Sequence, residues 1–156
     1  YSFEIESFNI LELASRTVDS FEHMAAEKGT ELVLEVPEMA VLKADKKALE
    51  QILVNLIENA IKYSPDGSRV IISAEKNEGF TRLEVTDNGP GISFEHHDRI
   101  FERFYRVDPG RSKQMGGTGL GLSIVRNLAS AMGANVGVRQ AEQTGSVFYI
   151  EFEENE

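Results

Sequence analysis

The stretch NLIENAIKY, residues 55–63, sets Asn55, Asn59 and Lys62 beside an apolar run. At 100° per residue the three fall within about 60° of one another on a helix and so share one edge of it. An asparagine half-buried beside Ile52 and Leu56 costs roughly 1–3 kcal/mol if its amide goes unpaired, and two of them one turn apart need partners. Internal capping or water would serve. So would a ligand, because asparagine oxygens suit Mg²⁺, which takes oxygen donors and keeps several waters and substrate phosphates.

In TRLEVTDNGPGI, residues 81–92, strand alternation puts Leu83 and Val85 on one face, and Asp87 has the same parity. A core-side carboxylate needs a donor, which a ligand amino group could supply. Asp-Asn-Gly is also a turn in its own right, with the aspartate bonding its own backbone. A second glycine at position 91 is more than that turn requires and allows close backbone approach. In RIFERFYRV, residues 99–107, Phe101, Phe104 and Tyr105 accompany Arg103 and Arg106. One reading is a short helix with core aromatics and solvated arginines; the other sends Arg106 to a phosphate, which guanidinium geometry suits. His96 and His97 are adjacent, cannot both face one metal from a helix, and are expected to be solvated.

Four glycines open GGTGLGLSIVRNLASAMG, residues 116–133. A Walker loop needs Gly-Lys-Ser/Thr after its glycines, and a Rossmann fingerprint needs a strand just before it; neither is present. What remains is a bared helix start, whose unpaired N–H groups and dipole attract phosphate.

The elements that must position these groups follow from periodicity. A helix is expected over 9–29, a strand over 31–36, a short strand over 41–43 and a long helix over 46–63 capped by Asp45. Strands at 69–76 and 80–87 form a hairpin through NEG, residues 94–118 are irregular, a helix covers 120–132, and strands at 135–140 and 146–153 close the chain. The sum is an α/β two-layer sandwich, a mixed five-stranded sheet with about three helices on one face.

At 156 residues and 41% hydrophobic, the chain suits one domain, 1–156. A net charge of −10 argues against nucleic acid as a partner, so an anionic ligand must be captured locally. The absence of cysteine excludes disulfides and thiolate metal sites and fits a reducing compartment. No segment approaches the roughly 20 apolar residues of a membrane span, and a soluble, cytoplasmic chain is expected.

Taken in order, NLIENAIKYS, DNGPGI, FERFYRV and GGTGLGLSIV resemble the N, G1, F and G2 boxes of the catalytic ATP-binding domain of sensor histidine kinases, within the gyrase, Hsp90, histidine kinase and MutL ATPase superfamily. The resemblance implies a Bergerat-type fold with ATP and Mg²⁺ as cofactors. It implies that Asn59 holds Mg²⁺, Asn55 lies near the phosphates with a catalytic role, Lys62 contacts them and Tyr63 packs near the nucleoside. Asp87 would accept from the adenine amino group, with Gly89, Gly91 and Ile92 shaping the pocket. Arg106 would act on the terminal phosphate beside Tyr105, and 107–116 would be a lid. Gly117, Thr118, Gly119, Leu120, Gly121 and Leu122 would wrap the phosphates, and Phe148 would lie behind the base.

In hydrolytic relatives a glutamate four residues before the metal-binding asparagine activates water; Asn55 cannot, so transfer to a protein nucleophile is expected over hydrolysis. A degenerate non-catalytic module, and a hydrolytic ATPase or serine kinase of the anti-sigma type, are the competing readings. No histidine sits in a phosphoacceptor context. The implied partner is therefore a dimerisation and phosphoacceptor domain upstream of Tyr1, homodimeric in the full-length kinase, with a response regulator as indirect partner. The domain alone is expected to be monomeric, and its location the cytoplasmic portion of a membrane-bound bacterial sensor.

Overall fold

A computed structural model describes residues 2–107 and 121–154. The elements are β1 (Ile5–Asn9), α1 (Ile10–Asp19), α2 (Glu22–Lys28), β2 (Glu31–Glu35), β3 (Val41–Asp45), α3 (Lys46–Tyr63), β4 (Arg69–Asn77), β5 (Phe80–Thr86), a 3-10 turn (Phe94–His96), α4 (Gly121–Ala131), β6 (Asn135–Gln140) and β7 (Ser146–Glu153). Five strands make one mixed sheet in the order β2-β4-β5-β7-β6; β2 and β4 run parallel and the other neighbours antiparallel.

Period-2 alternation gives this sheet one apolar face. Register aligns Ile72, Val85, Phe148 and Val138 in one row across it, and Ala74, Leu83, Ile150 and Val136 in the next. Over these rows α3 lays Leu49, Ile52, Leu53, Leu56, Ile57 and Ile61, each at most 2% exposed, and α4 adds Val125 and Ala129. The opposite face is polar. Arg82 pairs with Glu151 and Arg139 with Glu84, both at 2.6 Å, and the Arg82 guanidinium lies over the Phe80 ring.

Two elements differ from the sequence expectation. The helix expected over 9–29 is broken into α1 and α2 at Ser20 and Phe21. There the Thr17 and Ser20 hydroxyls bond the carbonyls of Leu13 and Thr17, and the Ser20 amide turns back on Arg16 and Thr17. Hydroxyls competing for helix carbonyls favour such a stop. The strand β1 was not expected. It pairs antiparallel with β3 in a separate two-stranded sheet that extends β3 to Asp45, and only Phe8 of its five residues is buried, so alternation carries no signal.

Asp45 joins that small sheet to the long helix. It is 2% exposed; its Oδ1 accepts from the Ala48 amide at 2.8 Å as the α3 N-cap, while Oδ2 accepts from the Glu4 amide at 2.7 Å. Asp45→Ala removes both acceptors. It is expected to lower stability by about 2 kcal/mol, read as a lower urea midpoint at unchanged slope.

Candidate functional site

The β5 alternation continues past the end of the strand and delivers Asp87 to the core side, 6% exposed. Its Oδ1 accepts the Gly89 amide at 2.8 Å and the Ser146 amide at 3.2 Å; among the described residues no donor reaches Oδ2. The turn reading and the buried-carboxylate reading of Asp-Asn-Gly therefore both hold. Burial pushes the Asp87 carboxyl above the ordinary carboxylate range, against the two backbone amides that pull it down.

Two glycines make this geometry possible. A Cβ on Gly89 would lie 3.0 Å from both Asp87 Oδ1 and the Tyr63 carbonyl, so the turn presses directly on the last residue of α3. Gly145, at φ +104°, brings the start of β7 onto the Asp87 backbone, where any side chain would collide with the Asp87 carbonyl. The main chains lock there as well, the Asp87 amide donating to the Ser146 carbonyl at 2.9 Å. Gly91 has φ +80°.

From Tyr63 the shared edge of α3 runs back towards α4. Half-buried Asn55 accepts from Gln51 at 3.2 Å and donates to the Gly121 carbonyl at 3.4 Å, at the first residue of α4. Asn59, one turn on, is also half-buried, and among the described residues its amide has no hydrogen-bond partner. Lys62 is paired with Glu58 at 2.9 Å. From Asn55 to Tyr63 the edge runs over nine residues, a rise of about 12 Å. It runs from the start of one helix to a buried carboxylate.

The segment after the Asp87 turn is not the short helix that one reading allowed; residues 99–107 form turns. Phe101 is buried, its ring edge-on to Phe148 at 6.2 Å, whereas Phe104 is 61% exposed with φ +64°. Phe148 itself is 2% exposed in the core row beside Val85. Arg106 is half-buried, with no charged partner among the described residues. Tyr105 lies under the Arg99 guanidinium at 4.7 Å, and its hydroxyl meets His96 Nδ1.

The expectation of solvated histidines fails. His96 and His97 are both half-buried, and His97 Nε2 bonds the Ile92 carbonyl at 2.8 Å, tying Ile92 to the next turn. Adjacent residues can each find a separate partner once the chain turns instead of continuing as helix. Leu122 is half-buried, with its side chain packed against the core. Gly117, Thr118, Gly119 and Leu120 lie outside the described residues, as does the expected lid apart from Val107.

Sequence reasoning missed Gly145 and Ser146, which hold Asp87 from a strand some 60 positions away. The only local signal was a Thr-Gly-Ser ahead of an alternating run. Among the described residues no group of three or more His, Cys, Asp or Glu side chains could hold a metal ion.

A family model described as "Histidine kinase-, DNA gyrase B-, and HSP90-like ATPase" matches residues 44–156. The swarming motility regulation sensor protein RssA of Serratia marcescens is 39% identical over 99% of this chain, and the sensor histidine kinase WalK of Bacillus subtilis 36% over 94%. The chain spans only 33% and 24% of their lengths. Among solved structures, the nucleotide-free catalytic domain of the histidine kinase ThkA superposes with a TM-score of 0.84 at 27% identity, covering 97% of both chains. Full-length ShkA in complex with AMPPNP superposes with a TM-score of 0.84 at 33% identity, over 97% of this chain and 31% of that one. The chain belongs to the histidine kinase-, DNA gyrase B- and HSP90-like ATPase family, as a catalytic ATP-binding domain of the sensor histidine kinase type.

Proposed function

We propose that this domain, residues 1–156, binds ATP with Mg²⁺ and donates the γ-phosphoryl group to a histidine on a dimerisation helix of its parent sensor kinase. The observation that carries the reading is Asp87, a buried carboxylate with one oxygen committed to two backbone amides and the other without a donor among the described residues. The adenine amino group is the donor it suits, with Gly89, Gly91 and Ile92 around the base, Phe148 behind it in the core and Tyr63 at its edge. Asn59 offers its amide oxygen to Mg²⁺, which neutralises phosphate charge when bound. Asn55 holds the start of α4, where Gly117, Thr118, Gly119, Leu120, Gly121 and Leu122 would present backbone amides to the phosphates.

In this reading Lys62 exchanges Glu58 for the phosphates, and Arg106, beside Tyr105, meets the terminal phosphate, which its guanidinium suits. In the transfer a histidine nitrogen attacks the γ-phosphorus, the bond to the bridging oxygen breaks and ADP leaves. Asn55 carries no basic group, so water is poorly activated and a protein nucleophile is favoured. The partners are then the parent's own dimerisation domain, in a homodimer, and a response regulator downstream. ThkA has been solved in complex with the response regulator protein TrrA, and that arrangement supports the second partner. The kinship with sensor kinases supports a role in the cytoplasmic portion of a sensor; no helix among the described residues is long and apolar enough to cross a membrane.

Titrating the domain calorimetrically with AMPPNP and Mg²⁺ is expected to show one-to-one binding, and a domain that binds no nucleotide sinks the reading. Incubation with ATP and a separately produced dimerisation helix pair should put acid-labile label on histidine. Acid-stable label on serine, or rapid release of free phosphate, would instead favour the serine kinase or hydrolytic alternatives.

Asp87→Asn separates two effects. Its side-chain oxygen can keep the Gly89 and Ser146 amides, which turns the NH₂ towards the base, donor against donor; affinity for AMPPNP should fall by about tenfold or more, with less loss for a base carrying a carbonyl at C6. Because the Asp87 pKa is raised on folding, its protonated form favours the folded state, and that advantage is lost as pH rises through the raised value. At about pH 7 the ionised group is a net cost. The nucleotide-free variant should therefore melt higher than wild type at about pH 7, with the gap narrowing towards about pH 4.

A further inference from the structure

The last four carbonyls of a helix have no partner within it, and at the C-terminus of α3 each can be traced. The Ala60 carbonyl takes the Ser64 amide at 3.2 Å. The Ile61 and Lys62 carbonyls take Lys28 Nζ, at 2.6 Å and 3.2 Å, and the same ammonium donates to the Ser64 carbonyl at 2.6 Å. All three donors of Lys28 are thus spent on one turn of α3. The remaining carbonyl, that of Tyr63, is the one pressed against Gly89.

Lys28 is the final residue of α2 and lies outside all four boxes. Its stem is half-buried, and its own carbonyl accepts the Gly67 amide at 2.8 Å, which fixes the loop leaving α3 as well. A cation at a helix C-terminus also meets the negative end of the dipole. The α3 terminus is therefore gripped between Lys28 on one side and the Asp87–Gly89 turn on the other.

We infer that Lys28 is a positioning residue for the adenine end of the nucleotide site, setting where the Tyr63 carbonyl meets Gly89 and so where the Asp87 carboxylate points; this rests on the nucleotide-binding reading above. Without the ammonium, the Ile61, Lys62 and Ser64 carbonyls lose their shared donor and must turn towards water. The Tyr63 carbonyl moves with them, and it lies so near the Gly89 turn, where even a Cβ would stand 3.0 Å from it, that the shift is passed to the turn.

The test uses Lys28→Met, which keeps the apolar stem, and Lys28→Gln, which keeps two donors, with Thr17→Ala as a control that loses a buried hydrogen bond in α1. Each is checked for folding by far-UV circular dichroism, titrated with AMPPNP and Mg²⁺, and assigned at the Gly89 backbone amide by NMR. Lys28→Met should weaken AMPPNP binding by about tenfold and Lys28→Gln by less, both displacing the Gly89 resonance in the nucleotide-free protein, while Thr17→Ala changes neither. If Lys28→Met does not fold, the Lys28→Gln result decides on the same two readouts. A folded Lys28 variant with wild-type affinity and an unmoved Gly89 resonance overturns the inference, as does a Thr17→Ala variant that moves both to the same extent. Failure of the wild-type chain to bind AMPPNP would overturn the nucleotide reading instead.

Discussion

The Asp87 carboxylate, buried behind β5 and held by the amides of Gly89 and Ser146, is the constraint around which the rest of the structure is arranged. Burial costs this acid its hydration, and the two hydrogen bonds recover only part of that cost. Both amides come from backbone, so the site depends on the main chain of two separate segments arriving together. The Asp87–Asn88–Gly89 turn supplies one; the first residue of β7 supplies the other. Register in the β5-β7 pair, from Phe80 opposite Glu153 to Thr86 opposite Val147, is what brings Ser146 to that place. A one-residue slip would turn the β7 apolar set outwards and remove the Ser146 amide with it.

The second fixed part is α3. Its N-terminus is pinned to the small sheet by Asp45, its body fills the core with Ile52, Leu56 and Ile61, and its C-terminus is gripped between Lys28 and Gly89. A helix held at both ends and along one face cannot rotate. Rotation is what would carry Asn55 and Asn59 off their edge. The stiffness of α3 would serve the proposed site, because the ligand proposed to lie along it would meet the start of α4, which Asn55 holds, at one end and Asp87 at the other.

Most of this was legible where the signal is local. The long α3 announces itself by an apolar stripe with a polar edge, the β5 carboxylate by its parity with Leu83 and Val85, and the β4–β5 hairpin by its Asn-Glu-Gly turn, whereas the order of the five strands is given only by the structure. What could not be read is what depends on pairs distant in sequence. Ser146 meets Asp87 and Lys28 meets Ser64 only because the fold closes, and nothing in either residue's neighbourhood encodes its partner. The β1 strand was missed because its buried content is a single Phe8, and the α1–α2 break because hydroxyl bonding to helix carbonyls leaves the apolar periodicity almost untouched. The histidines were misjudged because a helix was assumed where the chain turns, and turning lets His96 and His97 face Tyr105 and Ile92 separately.

A chain of net charge −10 that holds a polyanion needs the attraction to be short-ranged, and the arrangement of charge meets that need. Repulsion from distant carboxylates is damped over a Debye length of about 8 Å at physiological ionic strength, whereas contacts inside a partly dehydrated cleft are damped far less. Lys62 shows the balance at one residue. It is already neutralised by Glu58 on the same helix face, so the proposed transfer to a phosphate would exchange one ion pair for another and add little net affinity. Arg106, with no charged partner among the described residues, gives up no such pair. On the proposed function, the gain in binding a terminal phosphate would then fall mainly on Arg106 and on the start of α4, at the phosphate proposed to be transferred.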